Sequence, residues 1–133
     1  MTRNFMKEFG DSLQANGYPI LPIMPGEKKP GCFQSGKWVD YPGWTKHGKR
    51  GATDIELALW KEWPDAGIGI AGGLIVGVDI DVVDDADLSE RIQALAFEVL
   101  GHTSAIRIGM SPKRMLVYRT ATPFKGIKAH PLE

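Results

Sequence analysis

The chain has 133 residues, 43% of them hydrophobic and 24% charged, and its 16 basic and 16 acidic side chains cancel to a formal net charge of zero. This is the length and composition of one soluble globular domain, residues 1–133, with room for a real core. It excludes a strongly basic, non-specific DNA coat. The single cysteine, Cys32, excludes disulfide frameworks and cysteine-rich zinc sites.

No apolar stretch is long enough to span a membrane, and Met1-Thr2-Arg3-Asn4 lacks the apolar core of a signal peptide. An intracellular, cytoplasmic protein is therefore expected. The neutral total hides a segregated pattern. Six acids lie between Asp79 and Glu90. The bases collect at Lys28, Lys29, Lys46, Lys49 and Arg50, and again at Arg107, Lys113, Arg114 and Arg119. Nucleic-acid binding follows local patches, so a zero total does not argue against it. The plainer reading of most of these bases is solvated surface.

Taken in order, the first predicted element is a helix from Phe5 to Asn16, with Gly17 as its stop. Tyr18-Pro19-Ile20-Leu21-Pro22 reads as an extended edge segment, because proline lacks the ladder donor. Met24 to Gly51 reads as a long Gly/Pro/Lys-rich connection carrying Trp38 and Trp44, of the kind that is functional or disordered. Thr53-Asp54-Ile55-Glu56 is a capping box that opens a helix ending before Pro64. Trp60 and Trp63 on it are expected core anchors.

Ile68 to Ala71 is a short predicted strand, Gly72-Gly73 a turn, and Leu74 to Asp81 the expected central strand. Asp87-Leu88-Ser89-Glu90 opens a third helix that runs to about Leu100 and stops at Gly101. Thr103 to Gly109 and Met115 to Arg119 read as strands joined by the hairpin-like loop Met110 to Arg114. The fold class is α+β (α/β): a central mixed or antiparallel sheet with helices 5–16, 54–63 and 88–100 packed on it.

The most informative segment is Leu74-Ile75-Val76-Gly77-Val78-Asp79-Ile80-Asp81. Alternate side chains of a strand share a face, so Asp79 and Asp81 point together, about 7 Å apart, while Val78, Ile80 and Val82 face a core. Two like charges so placed repel, and a hard cation such as Mg²⁺ or Mn²⁺ removes that cost while also binding substrate phosphates. A strand running into an acidic turn is the competing reading, since Asp84, Asp85 and Asp87 follow. In Ala105-Ile106-Arg107-Ile108-Gly109, Arg107 lies opposite the two isoleucines, and the loop sets Lys113 and Arg114 beside it. If these strands pair with Leu74–Asp81, the cations oppose the carboxylates, an arrangement that suits phosphoryl or nucleotidyl transfer. Decoration of an exposed turn is the alternative for Lys113 and Arg114. Gly67-Ile68-Gly69-Ile70-Ala71-Gly72-Gly73 lacks the Lys-Ser/Thr ending of a P-loop and the helix of a dinucleotide fingerprint. His47, His102 and His130 have no metal-ligand spacing, and no nucleophile elbow is present.

In order, Tyr18–Pro22, Lys28-Lys29-Pro30, Trp44, Trp60, Pro64, Gly67–Ile70 and the strand-borne Asp79-Ile80-Asp81 resemble the N-terminal primase-polymerase domain of phage and plasmid replication proteins, in the archaeo-eukaryotic primase superfamily. The resemblance covers roughly residues 15 to 133. It implies a primase-polymerase-like fold and a DNA primase/polymerase nucleotidyltransferase using two divalent ions, Mg²⁺ or Mn²⁺. Asp79 and Asp81 match the family's first pair of metal-binding acids, and Glu133 falls in the place of the third. Arg107, Lys113 and Arg114 would hold the triphosphate, and Lys28, Lys29, Trp38 and Trp44 would contact a single-stranded DNA template.

Nucleoside triphosphates, template, and a helicase domain or other replication protein are the implied partners, in a bacterial or phage-encoded setting. Two departures stand out. Met115 occupies the place where the family often has a phosphate-contacting histidine. The chain also ends where the family continues with more sheet, so it is expected to be a fragment. A truncated, non-catalytic module binding nucleic acid or protein is therefore the alternative function. A nucleotide-sugar transferase, which also uses an Asp-x-Asp, is a third.

Overall fold

A computed structural model describes residues 3–128 and has an α+β architecture, in agreement with the expected class. The helix α1 spans Phe5–Ala15, and the Asn4 side chain accepts from the Lys7 amide at its start. β1 is Ile20–Ile23. Met24 to Gly51 departs from the expected featureless connection. It holds a hairpin of β2, Gly31–Gln34, and β3, Lys37–Asp40, then a 3₁₀ turn at Trp44–Lys46 and a one-turn helix α2, His47–Arg50. The hairpin escapes notice because each strand has only four residues and carries few apolar ones. Its signal is Ser35-Gly36, where both residues have positive φ (51° and 78°), as a two-residue hairpin turn requires.

α3, Asp54–Glu62, begins on the anticipated capping box, with Thr53 and Glu56 bonding each other's backbone amides. β4 is Gly67–Ile70 and β5 is Ile75–Ile80. α4 is Ala86–Leu100, capped by Asp85 rather than Asp87. β6, Ile106–Arg107, and β7, Arg114–Arg119, complete the described elements.

Pairing is antiparallel throughout, in three small sheets: β1 with β4, β2 with β3, and β5-β7-β6. β7, not β5, is the central strand of the largest sheet. The main core lies under α1 and α3, where Met6, Ile20, Leu57, Trp60 and Ala66 are buried together. Trp60 is an anchor as expected, and Trp63 is half-buried against the same cluster. Trp38 also packs there, partly buried and edge-on to Trp63 at 5.7 Å. A cavity of about 620 Å³ between α1 and β4 is lined mainly by apolar side chains and holds none of the expected site residues.

The segment before α3 is fastened by a buried histidine. His47 is fully buried, edge-on to Trp60 at 5.3 Å. The Gly51 carbonyl can only accept, so Nδ1 carries the proton toward it (3.3 Å) and Nε2 accepts from the Tyr41 hydroxyl (2.7 Å). Gly48, the next residue, lies against the Gly72 carbonyl with no room for a Cβ, and a Cβ on Gly73 would come within 2.5 Å of the Gly48 oxygen. The segment is thus clamped onto the β4–β5 turn. Arg50 forms two parallel bonds to Glu56 (2.7 and 3.0 Å), joining the same segment to α3.

Burial lowers the His47 pKa below its ordinary 6.5. The Arg50 guanidinium, with help from the Thr53 amide and hydroxyl, holds Glu56 at about 2. Both folded values lie below the unfolded ones, so both groups stabilise the protein at neutral pH and lose that contribution in acid. Urea midpoints measured from pH 8 downward are expected to fall in two stages. The first begins below about 6.5, from His47, and the second runs from about 4.5 toward 2, from Glu56. Glu56→Gln should lower stability at pH 7, flatten the second stage and, because the Glu56 carboxylate raises the His47 pKa, deepen the first.

Candidate functional site

The β5-β7-β6 sheet has two chemically distinct faces, set by one register. Ile75 pairs with Arg119, Gly77 with Val117 and Asp79 with Met115, while Arg107 of β6 pairs with Met115 on its other side. Directly opposed residues share a face. Asp79, Met115 and Arg107 therefore form one row across three strands, with Asp79 and Arg107 about 10 Å apart at two strand spacings. Asp79 and Arg107 are both exposed on this open face. Val78, Ile80, Leu116, Ile106 and Arg114 point to the other face, where Leu116 is fully buried and Ile80 is 3% exposed. α4 backs that face: Ser89 donates to the Pro112 carbonyl at 2.7 Å and Arg114 Nη1 to Gln93 Oε1 at 2.6 Å.

Asp81 lies one residue beyond β5, and Lys113 one residue before β7, each just past the last pair, Ile80 with Arg114. Lys113 Nζ meets Asp81 Oδ1 at 3.0 Å. The loop before β7 thus brings a cation onto Asp81. Arg107 joins the same face at a distance. Arg114 does not: it is spent on Gln93 and the Pro112 carbonyl behind the sheet. Strand alternation makes this unavoidable, since Lys113 and Arg114 are neighbours and cannot share a face. The Met115 side chain lies over Gly77, its sulfur 2.7 Å from where a Cβ on that glycine would sit. Gly77 thus makes room for Met115, which covers the strand beside Asp79.

The residues expected at a template are spread over the β1–α2 segment. Lys28 and Trp44 are exposed, and Lys29 pairs with Asp40 at 3.1 Å. No hydrogen bond or ion pair among the described residues joins them to Asp79 or Asp81. Glu133 lies outside the described residues. Within those residues no group of three His, Cys, Asp or Glu side chains is positioned to hold a metal. Mg²⁺ ordinarily takes one or two protein carboxylates and completes its shell with water and substrate phosphates.

Arg119 is a residue the sequence reading left unassigned. It stands on the open face at the far end from Asp79, its guanidinium over the Tyr18 ring (5.1 Å) and bonded to the Asn16 carbonyl (2.8 Å). Its place follows from sharing strand parity with Met115, a signal available only once the β5–β7 register is known.

The family model for the N-terminal domain of bifunctional DNA primase/polymerases matches residues 11–131. No match was found among curated proteins or among solved structures.

Leu116 is the packed support beneath Asp79 and Met115. Leu116→Ala is expected to cost about 2–5 kcal/mol in urea unfolding. Val117→Ala, half-buried on the open face, should cost clearly less.

Proposed function

The chain belongs to the family of the bifunctional DNA primase/polymerase N-terminal domain, and from that premise we propose that Asp79 and Asp81 hold the divalent ion of a nucleotidyltransferase site on the open face of β5. One observation carries the proposal. Two exposed carboxylates stand at the end of β5 in a sheet whose open face also bears Arg107 on β6, and Lys113 already rests on one of them. Mg²⁺ or Mn²⁺ bound there would lower the pKa of a primer 3′-hydroxyl and neutralise charge on the triphosphate.

The side chains of this chain have separable roles in that reading. Asp79 and Asp81 supply hard oxygen ligands, with Glu133 as the proposed third. Arg107 presents a planar guanidinium to phosphate oxygens across the Met115 row. Lys113 neutralises Asp81 before substrate arrives and transfers its charge to the triphosphate when the cation takes its place. Arg114, tied to Gln93, steadies the hairpin from behind and does not touch nucleotide. Lys28, Lys29 and Trp44 offer charge and a stacking surface to a single-stranded template.

The proposed setting is intracellular DNA replication in a bacterial or phage system, with a helicase domain or another replication protein as partner. Family membership replaces the nucleotide-sugar alternative. The non-catalytic binding module stays as a second reading because the residue directly beside Asp79 is the apolar Met115, which cannot donate to a phosphate.

Calorimetric titration with Mn²⁺, with and without a deoxynucleoside triphosphate, tests the assignment. Metal binding strengthened by nucleotide is expected, and it should vanish in Asp79→Ala/Asp81→Ala. Absence of metal binding in the unaltered protein would leave the non-catalytic reading. Lys113→Ala should bind Mn²⁺ alone about two- to fivefold more tightly, the worth of one exposed ion pair, yet gain less from added nucleotide.

A further inference from the structure

The open face that ends in Asp79 and Asp81 begins, four residues earlier on β5, at a cleft of about 300 Å³. Ile75 and Arg119, which pair across β5 and β7, form one wall. Tyr18, Lys49, Arg50 and the backbone of Gly17, Gly48 and Gly51 form much of the rest, and no aspartate or glutamate lines it. Arg50 is neutralised by Glu56. Lys49 and Arg119 have no carboxylate partner among the described residues. The Arg119 guanidinium is held in place by the Tyr18 ring and the Asn16 carbonyl, neither of which cancels its charge.

We propose that this cleft holds a backbone phosphate of the bound nucleic-acid strand, gripped by Lys49 and Arg119, about four nucleotides from the point of addition. The proposal rests on the Asp79–Asp81 reading for its distance. Ile75 and Asp79 lie on one strand face about 13 Å apart at roughly 3.3 Å per residue. A stacked strand advances about 3.4 Å per nucleotide, so that span corresponds to about four nucleotides. The floor between the two ends is Val117 and the Met115 side chain that covers Gly77, which present no charge to an overlying phosphate chain. The cleft's small glycine walls admit a phosphodiester group, and its net positive lining supplies the attraction.

The test is fluorescence anisotropy of a labelled single-stranded oligonucleotide across a salt series, in chelator so that the carboxylate pair contributes no metal. Each phosphate contact on a single strand adds about 0.7 to the slope of log affinity against log salt. Lys49→Ala is expected to reduce that slope by about 0.7, and Lys49→Ala/Arg119→Gln by about 1.4. Lys49 is exposed and forms no side-chain hydrogen bond among the described residues, so Lys49→Ala decides the question even if the Arg119 variant is poorly folded. An unchanged slope in Lys49→Ala would overturn the proposal. So would a slope unchanged for DNA with weakened metal-free binding of deoxynucleoside triphosphate, which would assign the cleft to a nucleotide's own phosphates. A reduced slope beside absent nucleotide-enhanced Mn²⁺ binding would support the phosphate contact and remove the Asp79–Asp81 assignment alone.

Discussion

The antiparallel register of β5 on β7 is the constraint on which the site depends. Asp79 opposite Met115 fixes which residues share the open face and which are buried against α4. A slip of β5 by one residue would turn Asp79 toward α4, away from Arg107, and carry Ile80 out of the buried face. The register is held because the buried set is apolar where it is deepest, at Ile80 and Leu116. Specificity of the open face is therefore a by-product of hydrophobic burial on the other side.

Two polar anchors steady this arrangement without occupying the open face. Ser89 and Gln93 of α4 bind the hairpin at Pro112 and Arg114. At the opposite end, Arg119 ties β7 to the turn after α1 through Asn16 and Tyr18. The sheet is thus held between α4 and the N-terminal core, leaving the Asp79 face open. The clamp of Gly48 on the β4–β5 turn, with His47 buried behind it, carries the long segment from Met24 to Gly51 onto the edge of that face. This is why Lys49 stands near the beginning of β5 despite lying 26 residues before Ile75 in the sequence.

The strongest local patterns were legible in the chain. The α1 and α3 boundaries, the capping box at Thr53, the stop at Gly101 and the strand bearing Asp79 all come from short-range rules of capping and alternation. The hairpin was legible in part: its second strand forms at Arg114–Arg119, but of the expected strand Thr103 to Gly109 only Ile106–Arg107 pairs. The hairpin within Met24–Gly51 was not, because four-residue strands give too few alternations to separate from a polar loop. Trp38 shows the related limit. An aromatic residue in a Gly/Pro-rich stretch reads the same whether it is exposed or, as here, edge-on to Trp63.

By itself the sequence determined the α+β class, the pairing of Asp79 with Asp81 on one face and the opposition of Arg107 to its neighbouring isoleucines, because each follows from the twofold repeat of a strand. Only tertiary structure decided that β7 is central, that Arg114 turns to Gln93 while Lys113 turns to Asp81, and that Lys49, Tyr18 and Arg119 enclose one cleft. The physical reason is sequence distance. Alternation fixes the direction of a side chain relative to its own strand, but which strands lie adjacent is settled by burial of apolar surface across the whole chain.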